Sequence, residues 1–174
     1  METAVLGAGC FWCVEAVFKE VRGVSSVTPG FCNGRTRNPT YKEVCTGTTG
    51  HNEVARIVFD PAVVTFAKLL EVFWGTHDPT TLNRQGEDVG EQYRSGIHSV
   101  NEGQRATAET MKEALDRSGA FDTPVVTEVV ALDEFFPAEN YHHDYYANNP
   151  DQGYCRMVIR PKLEKFRKAF AAFR

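Results

Sequence analysis

The 174-residue sequence has no apolar run long enough to span a bilayer, which removes a membrane-crossing helix from consideration. It has no long run of one charge either. Lys+Arg 19 against Asp+Glu 23 gives a net charge of -4, which argues against a nucleic acid or an anionic membrane as the main partner. Internal repeats, low-complexity tracts and linkers are missing as well, so a single domain over residues 1–174 is expected. The start, Met1-Glu2, is acidic and the apolar run after it is short, so a secretory leader is not expected. A second close pair of cysteines to complement Cys10 and Cys13 is also lacking, since Cys32, Cys45 and Cys155 are scattered. That disfavours a structural zinc, and no metal or cofactor is expected. Five cysteines, an odd number, suit reduced thiols in a cytoplasmic setting.

What is present begins with Gly9-Cys10-Phe11-Trp12-Cys13-Val14-Glu15. Ala4-Val5-Leu6 before it reads as a strand, and Val14, Val17, Phe18 and Val21 after it recur at helical spacing. Cys10 therefore falls where a strand feeds a helix N-terminus, a position that favours the thiolate and makes the sulfur nucleophilic. The competing use of such a residue is a buried structural thiol. Cys10-x-x-Cys13 also has the spacing of a dithiol redox motif. Phe11 and Trp12 either pack in the core or, exposed beside Cys10, cup a small apolar group such as an S-methyl.

The rest of the chain alternates strands, helices and two long loops. Val24–Phe31 reads as a strand or an irregular run into a turn, Val54–Phe59 reads as a strand, and Thr65 caps a helix carrying Phe66, Leu69, Leu70, Phe73, Trp74 and His77. Ile97–Val100 is a short strand, Asn101–Ser118 a helix, and Val125–Leu132 a β-branched strand. Pro137–Asn148 reads as a helix or helical turn in which His142 and His143 are solvated or hydrogen-bonded, and Pro161 opens a final helix. The loops over Cys32–Gly50 and Asp78–Arg94 carry Tyr41, Cys45, Asp88 and Tyr93, and Glu53 stands at the entrance to a strand. Without a strict βα rhythm, the expected fold class is α+β. In detail this is a two-layer sandwich of helices on a mixed or antiparallel sheet, with a ferredoxin-like core and long functional loops.

Four motifs together carry a family likeness. Gly9-Cys10-Phe11-Trp12 is followed by Pro39-Thr40-Tyr41-x-x-Val44-Cys45-x-Gly47-x-Thr49-Gly50-His51-x-Glu53, by Gln85-Gly86-x-Asp88-x-Gly90-x-Gln92-Tyr93-Arg94-Ser95, and by Asn149-Pro150-x-x-Gly153-Tyr154-Cys155. In this order they strongly resemble the A-type peptide methionine sulfoxide reductases, from about Ala4 to Cys155. The resemblance implies that Cys10 attacks the sulfoxide sulfur and that Glu53 protonates the leaving oxygen. It implies further that Tyr41, Tyr93 and Asp88 belong to the polar network around that oxygen, and that Phe11 and Trp12 hold the S-methyl group and select the S epimer. Cys155, on a mobile loop, would resolve the Cys10 sulfenic acid to a disulfide that thioredoxin reduces. Oxidised proteins and free methionine sulfoxide are the implied substrates. Cys13, Cys32 and Asn52 depart from the usual family pattern, and Cys13 is an alternative resolving thiol. Two other readings compete: a general dithiol–disulfide oxidoreductase using Cys10 and Cys13, and a redox sensor or sulfoxide-binding module.

Overall fold

A computed structural model describes residues 1–174 and contains eight strands and six α-helices. In chain order these are β1 (Glu2–Ala8), α1 (Phe11–Phe18), β2 (Val24–Cys32), α2 (Tyr41–Val44), β3 (Asn52–Phe59), α3 (Phe66–Gly75), β4 (Arg84–Gln85), β5 (Asp88–Val89), β6 (Ser95–Ser99), α4 (Glu102–Arg117), β7 (Glu128–Ala131), β8 (Phe135–Pro137), α5 (Tyr145–Asn148) and α6 (Arg160–Ala169). Six strands form one curled sheet in the order β7-β6-β1-β3-β2-β8, and β4 and β5 make a separate small hairpin. All pairs in the large sheet are antiparallel except β6 with β7, so the sheet is mixed.

β1 has a neighbour on both sides, and its residues from Ala4 to Ala8 are buried, which is why it reads as a continuous apolar run. Ala4, Leu6 and Ala8 alternate onto one face, where they meet Ile57 and Phe59 of β3, Leu69, Leu70 and Phe73 of α3, and Leu163 and Phe166 of α6. Val5, on the opposite face, packs with Cys32, Val54 and Phe135 in a smaller cluster. Gly9 ends the strand with φ +90, and a side chain there would strike Gln85. Only glycine makes this turn cheaply, so it sets where Cys10 emerges.

The expected elements recur with shifted bounds, and four differences have clear causes. Val125 and Val126 do not enter the β7 ladder because their N–H groups donate to Asp116 and to the Pro79 carbonyl. Pro137–Asn148 is not one helix: Asp144 adopts a left-handed conformation, φ 58, and separates a 3-10 turn at Asn140–His142 from α5. The loop over Cys32–Gly50 contains α2, fixed by a capping box between Thr40 and Glu43. The last helix starts before Pro161. Residues 155–159 form a π-turn that runs directly into α6, which accommodates a proline whose ring and missing N–H would disrupt a regular helix interior.

Candidate active site

Cys10 is the N-cap residue of α1, with an extended backbone at φ -60 and ψ 127, so its thiol leaves the helix at the first turn. Glu53 lies on β3 opposite Phe31 of β2 and is fully buried. Its Oε1 accepts a hydrogen bond of 3.2 Å from the Phe11 backbone N–H, while Oε2 has no partner at all. An unsatisfied buried polar atom costs about 1–3 kcal/mol, so this arrangement is not explained by stability. Burial pushes the Glu53 carboxyl up to about 8, and the nearby negative charge of Asp88 acts in the same direction, against the Phe11 hydrogen bond. Near neutral pH, Glu53 is therefore mainly a carboxylic acid.

Tyr41 and Tyr93 reach the same place from different elements. Tyr41 is the first residue of α2, its position set by the Thr40 cap and by a 3.1 Å bond from its N–H to Glu139. Tyr93 ends a 3-10 turn after β5, and the backbone on both sides of it is held by one side chain. Asn52 Nδ2 donates to the carbonyls of Gln92 and Arg94, each at 3.0 Å. Asn52 Oδ1 in turn accepts from His98 at 2.8 Å, a histidine that burial pushes down to about 3 and so keeps neutral. Asn52 thus acts as a clamp on the Tyr93 loop. Both phenols are pushed up by burial and then by the proximity of Glu53, which keeps them as hydroxyl donors. Cys10, Glu53, Tyr41 and Tyr93 are thereby brought together.

The aromatic pair divides. Phe11 is wholly buried against Phe31, Val44 and Ala138, in core packing rather than exposed beside the thiol. Trp12 is half-buried; its indole N–H donates to His142 Nδ1 at 3.0 Å, and its ring stacks on Tyr145 with centroids 3.7 Å apart and planes at 7°. Such a stack is worth about 0.5–1.5 kcal/mol beyond burial. His142 is not solvated: it is buried among Phe11, Trp12, Tyr41 and Tyr141. His143 is hydrogen-bonded to the Ala138 carbonyl. The sequence shows an aromatic crowd at 141–146, but nothing in it names Trp12 as the partner.

Cys10 also packs with Cys13, Cys155 and Ile159 in one buried cluster. Cys155 is not on a mobile loop but begins the π-turn before α6, and it is fully buried. Cys13 Sγ is 3.8 Å from the Tyr154 hydroxyl, and that hydroxyl donates to Asp88 Oδ2 at 2.6 Å. Asp88 is therefore hydrogen-bonded to Tyr154, while its charge also acts on Tyr93 and Glu53. A cleft of about 360 Å³ opens here, bordered by Cys10, Cys13, Gln85, Asp88, Tyr154 and Lys162. Cys45 is exposed, and Cys32 is a core thiol, its ionisation pushed far up by burial.

The thiolate does not rest on Cys10 as the helix position alone suggests. Burial, a hydrogen bond shared with Cys13, and the charges of Cys13 and Glu53 hold the Cys10 thiol well above its ordinary value. Cys13 is lowered to about 7 by the hydrogen bond from Cys10, helped by Lys162 and Tyr154 and opposed by burial. The charge of the pair is favoured on Cys13, because the hydrogen bond between the two thiols lowers Cys13 and raises Cys10. No three His, Cys, Asp or Glu side chains converge as a metal site would require.

A thiol pair beside a buried neutral acid and two phenols is an unusual combination, and known proteins share the chain that builds it. The family model described as peptide methionine sulfoxide reductase matches residues 2–173. A peptide methionine sulfoxide reductase MsrA of Chromobacterium violaceum is 52% identical over 171 residues, 98% of this chain and 97% of that protein. Among solved structures, reduced Mxr1 from Saccharomyces cerevisiae is similar with a TM-score of 0.82 and 31% identity, covering 88% of each chain. Mxr1 in complex with Trx2 has the same fold at a TM-score of 0.59 and 19% identity, over 83% of this chain and 84% of that one. With near-complete coverage and half of the aligned residues identical, the chain belongs to the peptide methionine sulfoxide reductase family.

Proposed function

We propose that the protein reduces methionine-S-sulfoxide, free or in proteins, to methionine, with the oxygen passing to Cys10. The observation that carries this reading is Glu53: a fully buried carboxylic acid, one oxygen fixed by Phe11 and the other unpartnered, beside a thiol. Oε2 is the atom that carries the proton to the sulfoxide oxygen. Tyr41 and Tyr93 donate to the same oxygen, where charge develops as the S–O bond weakens. Cys10 gives its proton to Cys13, its hydrogen-bond partner, and attacks the sulfoxide sulfur. Methionine leaves and Cys10 is oxidised to the sulfenic acid.

Trp12, half-buried and anchored by His142 and Tyr145, offers an apolar surface for the S-methyl group, with Phe11 as its packed support. A methyl site on one side and oxygen donors on the other fix the handedness of the reacting sulfur, which supports selectivity for the S epimer. Asp88 belongs to this machinery through Tyr154 and through its charge near Glu53. Cys155, packed in the same cluster as Cys10, is the thiol that resolves the Cys10 sulfenic acid to a disulfide, and thioredoxin is the reductant we infer for it. Yeast Mxr1, a relative by sequence, has been solved with Trx2, which supports that inference. Five free cysteines fit a reducing, cytoplasmic setting.

For the fold, we read residues 1–174 as one domain with a ferredoxin-like core in two layers. The antiparallel order β6-β1-β3-β2, with α1 between β1 and β2 and α3 between β3 and β6, supports it. The test of function is chiral: each epimer of dabsyl-methionine sulfoxide is supplied with dithiothreitol and the methionine formed is measured. Turnover confined to the S epimer is expected; turnover of the R epimer alone would overturn the reading.

A further inference from the structure

Glu15 is a second buried carboxyl, and no step of the reduction uses it. It follows Trp12 by three residues on α1, so the two side chains leave the helix on one face, opposite the core-facing Val14, Val17 and Phe18. A helix face turned from the core is ordinarily solvated, yet Glu15 is only 2% exposed. Its Oε2 accepts a 3.1 Å hydrogen bond from the Asp144 backbone N–H, and the Tyr145 backbone also favours its charged form. Lys19, one turn further along the same face, pairs with the Asp144 carboxylate. The left-handed corner at Asp144, φ 58, is thus tied to α1 through both its backbone and its side chain. The next residue is Tyr145, whose ring lies flat on Trp12.

Stability does not account for a carboxyl in this place. Burial pushes Glu15 up to about 7 against the help of Lys19 and the Tyr145 backbone. Arg167, a cation bordering the same cleft, is committed to Glu20. An apolar side chain of similar length would fill the site without the cost of burying an acid. What it could not do is accept the N–H of a residue held in a left-handed conformation, which is unfavourable for any side chain but glycine. The Trp12 ring needs that corner. His142 holds the indole at its N–H edge, and a ring fixed at one edge can still swing about that bond. Tyr145 backs its face, and Glu15 fixes where Tyr145 begins.

Building on the sulfoxide reduction argued above, we propose that Glu15 is a positioning residue for the methyl-binding surface: it holds the Asp144–Tyr145 corner on α1 and thereby sets the plane of the Trp12 indole. It touches neither the substrate nor the reacting sulfur, so its effect is on KM. The chain has two tryptophans, and in a Trp74→Phe background Trp12 is the single indole whose fluorescence and quenching by acrylamide are read. Glu15→Met removes the acceptor and keeps the length, whereas Glu15→Gln keeps an acceptor oxygen. In Glu15→Met, Trp12 should become more accessible to acrylamide. The KM for dabsyl-methionine-S-sulfoxide with dithiothreitol should rise about 3–10-fold, the size of a lost aromatic stack, at nearly constant kcat. Glu15→Gln should restore both readings. Adding Glu15→Met to Trp12→Ala should change KM by less than about 2-fold, because both act through one ring. An unchanged Trp12 accessibility in Glu15→Met, equal losses in Met and Gln variants, or additive losses with Trp12→Ala overturns the proposal. Absence of turnover in the unchanged protein would overturn the reduction, and the acrylamide reading, which needs no sulfoxide, decides the hold of Glu15 on Trp12 separately.

Discussion

The two sides of Cys10 are built in opposite ways. On the acid side every group is held by regular structure or by a dedicated clamp: Glu53 within the β3 ladder, Tyr41 by the Thr40 capping box, Tyr93 by Asn52. On the thiol side Cys155 begins the π-turn that runs into α6 just before Pro161, and Tyr154 divides its hydroxyl between Cys13 and Asp88. The contrast follows the chemistry. Donors that stabilise one transition state gain from being fixed, because they do not have to reorganise as charge develops. The thiols instead meet at a π-turn, an irregularity of the kind found inside helices at functional sites.

The sharpest way to break the comparison is Glu53→Gln. Gln keeps the Phe11 hydrogen bond and the volume but removes the proton, so kcat should fall by about 10²–10³-fold. In the unchanged protein kcat/KM should decline as pH rises through about 8, where Glu53 loses its proton, and that limb should vanish in the variant. Stability moves with the opposite benefit. A carboxyl whose folded value lies above the unfolded one stabilises at low pH, and that contribution is lost as pH rises towards 8. Glu15, buried and pushed up to about 7, adds the same sign. Denaturant melts at pH 5 and pH 9 should therefore show Glu53→Gln close to the unchanged protein at pH 5 and more stable by a few kcal/mol at pH 9. A variant that lost activity and stability equally at both pH values would remove the acid from the mechanism.

A smaller effect is expected for the oxygen donors. Tyr93→Phe should lower kcat/KM by roughly 10–100-fold while the melting temperature stays within a few degrees. Asn52→Ala acts on the same hydroxyl from a distance by releasing the Gln92 and Arg94 carbonyls. Its kcat should fall with Tyr93 still present, and adding Tyr93→Phe should then cost less than in the unchanged background, since neighbours that act through one group are not additive. Additive losses would mean that the clamp does not serve Tyr93. Trp12→Ala should instead raise KM by about 10-fold and lower the melting temperature, because it removes both the methyl surface and the Tyr145 stack.

Much of this was legible in the sequence because it rests on local rules. The Gly9 turn, the periodic apolar face after Cys10 and the Thr65 cap each follow from a few adjacent residues. Thr40-Tyr41-Lys42-Glu43 even carries the capping-box signature that fixes α2 inside what reads as a loop. What was not legible depends on docking between distant segments. Tyr145 on Trp12, Asn52 around Tyr93 and Tyr154 against Cys13 join residues 40 to more than 130 positions apart, and no periodicity encodes them. The helix start favours a thiolate at Cys10, but burial by distant segments is the largest influence raising that thiol, followed by its neighbour Cys13 and then by Glu53 from β3.

The smallest effect tests what separates a working thiol from a packed one. Cys32 is as buried as Cys155, yet it contacts Val5 and Val54 on the face of the sheet away from the site, and burial alone accounts for most of its raised ionisation. No second sulfur touches it and no proton donor is aimed at it. Cys32→Ala should therefore cost about 1–2 kcal/mol of stability through a small cavity and leave the steady-state rate with sulfoxide and dithiothreitol unchanged. A change in that rate would mean that the far face of the sheet communicates with β3 and Glu53 through Val54, and the division between a rigid acid side and a passive core behind it would have to be redrawn.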